Sequence, residues 1–302
     1  MAKRYGERAL DVLQRIDAPA AHWWVCLVVG VSRLSAGDLD QAAALMRRTA
    51  EVTARIGDRR HWCDAIENLG IIATLRADWN AALASILAYR EVAEADRDPR
   101  YRAAALREQA FVLMHLGRLV EAEGCLSLLR RELDDGLMVE RDAALQDLHA
   151  MAATLALDRG DEMAAAQALA ACVEAIGRSA AGSNFPNMHG SMLLACRTAL
   201  RLAARRQAAG EGRAAARHHR EGRIIVRALE QHAGVHAVGR AAALLARAAL
   251  AEADRRPAQM QRFARQAARA AAGLGLVHDA TQAEHALRVA GGGALDLVPD
   301  RP

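Results

Sequence analysis

Apolar positions recur every three to four residues along most of this chain, and short polar or glycine-containing breaks interrupt them. That interval is the period of an amphipathic helix. Leu10, Leu13 and Ile16 share one face of a helix predicted over about 3–17, which Pro19 ends. Paired helices follow over about 20–36 and 38–56, 60–76 and 79–96, 99–116 and 118–134, and 138–158 and 162–177. A fifth pair breaks near Gly210 to Gly212, a sixth near Asp254 to Pro257, and a last helix covers about 278–290. Asp38 with Gln41 reads as a loose capping box, and Asp98-Pro99 as a cap followed by proline in the first turn.

The breaks themselves repeat. Gly37-Asp38-Leu39-Asp40-Gln41-Ala42, Ala77-Asp78-Trp79-Asn80-Ala81-Ala82 and Gly117-Arg118-Leu119-Val120-Glu121-Ala122 align at a spacing of 40 residues. Self-similarity at such a period marks stacked supersecondary units, each burying its apolar face on the next. The spacing slips to 43 residues at Arg159-Gly160-Asp161, and the Gly-, Ser-, Asn- and Pro-bearing stretch 177–190 reads as a loop. The expected organisation is an N-terminal helix over 1–19, a regular block of about four hairpins over 20–177 and a loop over 178–190. An irregular block over 191–290 closes in a capping helix, and 291–302, opening on Gly291-Gly292-Gly293, is expected to be disordered.

Composition supports an all-α chain. Hydrophobic residues are 53% of the 302, but aromatics only 3%, and six prolines leave long helices uninterrupted. Alanine is the commonest residue and lets helix axes approach closely. Lys3 is the only lysine, so a phosphate-binding loop that needs a lysine is excluded. Five cysteines lie far apart in apolar helical stretches, as expected of buried thiols in a reducing cytoplasm. No leader-like apolar segment opens the chain, and the most apolar window, Trp23 to Val31, is too short to span a membrane.

Charge is uneven. Arg197 to Arg269 holds 16 arginines against 5 acids, a net of +11, while the remainder holds 24 basic and 31 acidic residues, a net of −7. Such a patch could steer nucleic acid, anionic lipid or an acidic partner, but the simpler expectation is a solvated helix face or one paired with the acidic half. It lacks the interleaved aromatics of a nucleic-acid interface, so nucleic acid is not the expected partner.

Candidate chemistry is sparse. His232 and His236, at i and i+4, could hold zinc only on a continuous helix, and Gly234 is expected to end it there. His218-His219 point apart, and His278 and His285 read as partly exposed surface. No G-x-S-x-G occurs. The expectation is therefore no enzyme, no metal and no cofactor. Of Trp23-Trp24, one is expected in the core and the other against the preceding helix or lining a groove.

Within the second hairpin, Asn68-Leu69-Gly70 leads to Ala77-Asp78-Trp79, Ala82 and Ile86. Small residues at 70 and 82 suit a helix crossing, and Trp79 suits a plug against the neighbouring hairpin. This pattern resembles the tetratricopeptide repeat, and Gly30, Gly37, Leu39, Ala42 and Met46 follow it in the first hairpin. Ala110, Gly117, Leu119, Ala122 and Leu126 follow it in the third, though the period exceeds the usual ~34 residues. With its ending from Ala272 to Leu287, the chain is similar to the helical-repeat tails of bacterial signalling ATPase and nucleotide cyclase proteins and of maltose-activator-type transcriptional regulators.

The resemblance implies an α-solenoid of about six tetratricopeptide-like hairpins in a right-handed superhelix with terminal capping helices. It implies a protein- or peptide-binding scaffold or sensor segment, with a small-molecule effector site as the alternative. The N-terminal helix looks like half of a missing hairpin, as in a fragment or a diverged cap. Groove positions carried over from the family are Trp24, Leu27 and Val31, then Asp64, Glu67 and Ile71, then Arg107, Phe111 and His115. The Lys and Asn of a chaperone-peptide clamp are absent from those positions.

Overall fold

The computed structural model describes residues 6, 8–9, 11–12, 19–135, 141–179 and 186–290. Every regular element among them is helical. The helices are α1 (Pro19–Ala36), α2 (Leu39–Ile56), α3 (Arg59–Leu75), α4 (Trp79–Asp96), α5 (Pro99–His115) and α6 (Leu119–Asp135). They continue as α7 (Arg141–Asp158), α8 (Glu162–Arg178), α9 (His189–Ala208) and α10 (Gly212–Val235). A short 3-10 turn, Ala237–Gly239, precedes α11 (Arg240–Ala253), α12 (Pro257–Leu274) and α13 (Val277–Ala290). Each helix packs on its chain neighbours, giving an all-α repeat solenoid. Most of the helix predicted over 3–17, residues 180–185 of the expected loop and the tail 291–302 lie outside the described residues.

The 40-residue spacing is a spacing of left-handed turns. Gly37, Ala77 and Gly117 have φ of 84°, 57° and 71°. In each turn the next backbone N–H reaches back five residues: Asp38 to Arg33, Asp78 to Ala73 and Arg118 to Leu113, all at 2.9 Å. This is the glycine-favouring helix stop that satisfies otherwise orphaned carbonyls. Gly160, Gly210 and Arg255 repeat it where the spacing has drifted.

Aspartates then open the next helices. The side chains of Asp58, Asp78, Asp98 and Asp161 accept backbone N–H bonds from His61, Ala81, Arg100 and Ala164. Asp38 departs from the expected capping box. It holds the cap position without a side-chain cap bond, because its carboxylate pairs with Arg33 Nη1 at 3.2 Å.

Between helices the repeat shows in recurring contacts. Arg100 pairs with Asp64, and Arg178 with Asp142, each across 36 residues. The Cys63 thiol faces the Tyr89 carbonyl, and the Cys172 thiol the Gln146 carbonyl, each 26 residues away. All five cysteines are buried and unpaired. A Cβ on Gly70 would sit 3.4 Å from Ser85 Cβ, so the helix crossing expected there is close.

The ends of the solenoid meet. Leu34, Leu39, Ala42 and Ala43 of the first hairpin and Ile71, Ile72 and Leu75 of α3 form one core with Val238, Ala241, Ala271 and Leu276. His236 Nδ1 lies 3.2 Å from the Ser35 hydroxyl across 201 residues. A Cβ on Gly37 would come within 2.6 Å of Leu274 Cδ2. The two ends of the described chain thus pack together, and α13 also contacts α3.

Candidate functional site

Closure encloses a space. A cavity of about 340 Å³ lies among α4, α5, α7, α9 and α13. Trp79, the first residue of α4, stacks on His115 with ring centroids 4.4 Å apart and 20° between planes. Phe111, one turn earlier on α5, contacts His115 at 4.4 Å. His278 of α13 meets both rings edge-on, at 5.2 Å from Trp79 and 4.7 Å from His115. His278, expected as partly exposed surface, is half-buried and lines the cavity.

These imidazoles are neutral. Burial lowers His115 to about 4 against a bond to the Phe111 carbonyl, with Arg197 pushing the same way. Its Nδ1 lies 2.9 Å from that carbonyl, so Nδ1 carries the proton and Nε2 keeps a free lone pair. His278 is lowered well below its ordinary value by burial and by His115, Arg197 and His189.

The polar corner is made by α9 and α13. Arg197 Nη1 donates to the neutral Gln282 Oε1 at 2.6 Å. Asp279 is buried, and its Oδ2 has no hydrogen-bond partner. Burial raises Asp279 to about 7 against the pull of Arg197. At the rim Arg201 pairs with Asp158 at 2.7 Å, and the Thr154 and Thr198 hydroxyls bond at 3.0 Å.

Beyond Phe111 lies a small cleft of about 40 Å³ beside a cluster of buried charges. Arg107 is 5% exposed and sits 3.2 Å from Glu108, 3.6 Å from Asp147 and 4.0 Å from Glu67. The Tyr89 hydroxyl donates to Glu108 at 3.0 Å, Asn187 donates to the same carboxylate at 3.2 Å, and Ser191 donates to Asp147. Arg100 reaches Asp64 at 3.3 Å and Glu67 at 3.6 Å. Carboxylates outnumber guanidiniums here, so protons make up the balance. Burial and the neighbouring Glu108 push Glu67 up to about 8 despite Arg100 and Arg107, and burial pushes Asp147 up to about 6.

The nine groove positions separate into three groups. Phe111 and His115 line the cavity. Asp64, Glu67 and Arg107 meet in the charge cluster, with Ile71 against the cleft and the closure core. Leu27 and Val31 belong to the core between the first two helices, with Trp23 and Met46. Trp24 is 52% exposed on the outer side of α1, beside Ala9. The first hairpin's groove positions are therefore not part of this site.

Sequence reasoning missed Arg197, Asp279 and Gln282. Their one available signal was polar residues in an alanine-rich helix, at 278, 279 and 282, which surface residues also show.

Several arginines of 197–269 have partners or sites of their own. Arg197 lines the cavity, Arg205 and Arg206 pair with Glu162, Arg247 with Glu230 and Arg223 with Asp254. His232 and His236 do approach, with centroids 4.7 Å apart, because α10 runs through Gly234 to Val235. Among the described residues no group of three or more His, Cys, Asp or Glu is placed to hold a metal, and no helix is long and apolar enough to cross a membrane.

Fold and site together define an all-α repeat solenoid closed around an aromatic-walled cavity. Compared with protein-family models and with curated proteins, the chain matches none.

Proposed function

We propose that this chain is a non-catalytic effector-binding solenoid of the tetratricopeptide type, right-handed, serving as the sensor segment of a bacterial cytoplasmic signalling protein. The carrying observation is the cavity. Its volume of about 340 Å³ falls at the lower end of small-molecule pockets, ~300–1,000 Å³. Its walls are mostly apolar and aromatic, with a few convergent polar groups, among which Asp279 Oδ2 has no hydrogen-bond partner. A peptide groove needs an open face, and α13 walls this cavity with α4, α5, α7 and α9. An effector that contacts both α5 and α13 would tie the C-terminal helix to the regular repeat block and shift the closed state against an opened one.

A second reading, binding of a protein partner, has one observation in its favour. Trp24 and Val28 are 52% and 50% exposed on the outer side of α1.

The test is a thermal-shift screen of anionic, cationic and neutral one- and two-ring fragments against the wild type and Leu194→Trp, which fills the cavity. A ligand at a hundred times its Kd stabilises by about 2.7 kcal/mol, a readily measured shift. The expected result is stabilisation of the wild type that the filled variant loses. No shift from any fragment class, or equal shifts in both proteins, would falsify the reading.

A further inference from the structure

We infer that the cavity takes a planar aromatic carboxylate, its ring against Trp79, Phe111 and His115 and its carboxylate on Arg197 beside Asp279. This inference rests on reading the cavity as an effector site. About 340 Å³ corresponds to roughly eleven water volumes at ~30 Å³ each, which suits about ten to fifteen non-hydrogen atoms.

Arg197 sets the charge of the ligand. A guanidinium offers five donors in a planar fork that matches a carboxylate edge. Here one donor meets the neutral Gln282 oxygen at 2.6 Å, and among the described residues no carboxylate lies within ion-pair range. The field inside is positive, since Arg197 lowers both His115 and His278. A cationic ligand is opposed by that field, and an anion is drawn by it.

Asp279 supplies the complement. Its unpartnered Oδ2 is buried in the same corner, and a protonated acid there can donate to the second oxygen of a bound carboxylate. The charged group that acts on it is Arg197 from α9, and Glu252 from α11, His115 from α5 and His278 from α13 each feel the same guanidinium. The α3 and α12 surfaces packed on α13 near Ala280 are apolar, with Ile71, Leu75 and Ala271. Asp279 sits at about 7, so it carries its proton in mildly acidic solution. Above that, carboxylate binding must take up one proton, and affinity falls by up to about tenfold per pH unit.

The aromatic wall sets the shape. Trp79 and His115 are stacked, and the neutral His278 stands at 82° to both rings. A flat ring keeps face or edge contact with all three, whereas a puckered ring of equal size touches fewer atoms.

The experiment is isothermal titration calorimetry on the full chain near pH 6 and pH 8. The probes are 2-naphthoate, its neutral amide 2-naphthamide, and decahydro-2-naphthoate, the puckered carboxylate with the same number of non-hydrogen atoms. 2-Naphthoate is expected to bind at least about tenfold tighter than either control near pH 6, and to lose about tenfold near pH 8. Arg197→Gln is expected to drop naphthoate to the level of the amide. Asp279→Asn, a permanent neutral donor of the same shape, is expected to keep the pH 6 affinity and abolish the loss at pH 8. Equal binding of acid and amide, a preference that survives Arg197→Gln, or no naphthoate binding at millimolar concentration each overturns the ligand class. The fragment screen above, which includes cations and neutrals, fails separately if the cavity binds nothing.

Discussion

Glu67→Gln replaces the buried carboxyl at the edge of the Arg107 cluster with a neutral group of the same shape. The Glu67 carboxyl is pushed from its ordinary 4.5 up to about 8, chiefly by burial and then by Glu108. A raised acid means that the folded state holds a proton the unfolded chain releases. Below about pH 4.5 both states hold it, and the group contributes nothing to pH dependence. Between 4.5 and about 8 stability falls as pH rises, with a limiting slope near 1.4 kcal/mol per pH unit for one proton.

From pH 5 to pH 8 this accumulates to at most about 4 kcal/mol, a large share of a typical net stability. The glutamine variant lacks this contribution. Asp147 at about 6 and Asp279 at about 7 act in the same direction in both proteins, so they largely cancel in the difference. Urea unfolding followed by far-UV circular dichroism at pH 5, 6, 7 and 8 reads the effect. The variant should gain on the wild type by up to a few kcal/mol as pH rises to 8, with unchanged m-values. A stability difference that stays flat from pH 5 to 8 would show that Glu67 does not hold a proton in the folded state.

Other outcomes follow from single contacts. Arg107→Met leaves Glu108 and Asp147 without their buried counterion and should cost about 3–5 kcal/mol in urea unfolding, more at high pH than at low. Gly37→Ala puts a methyl group on Leu274 at a residue with φ of 84°, so calorimetric melting should show a loss of about 2 kcal/mol or more, and Leu274→Ala should relieve part of it. Arg97 is exposed at φ 54°, where L side chains are strained by roughly 1–2 kcal/mol, so Arg97→Gly should raise the melting temperature despite glycine's entropy in the unfolded chain.

The helices and their turns were legible in the sequence because their causes are local. A left-handed stop needs glycine or a tolerated substitute, a cap needs an aspartate, and both sit within a few residues of the backbone they satisfy. Even there a neighbour could intervene, as Arg33 draws Asp38 away from capping. Of the groove positions from α3 onward, Phe111 and His115 line the cavity and Glu67 and Arg107 meet in the buried charge cluster. What they meet there was not legible.

The sequence by itself determined an all-α chain of paired helices, because hydrophobic period, alanine content and turn residues act over one or two turns of backbone. Tertiary structure decided that the ends meet. Curvature is a sum of small rotations at each hairpin, set by how Gly70, Ala82 and their counterparts let helices approach, and no single residue records the total. That sum places Leu274 against Gly37 and turns His278 and Asp279 inward to face Trp79 and Arg197. The cavity exists only through that long-range packing, so its chemistry could be read only once α13 was seen as one of its walls.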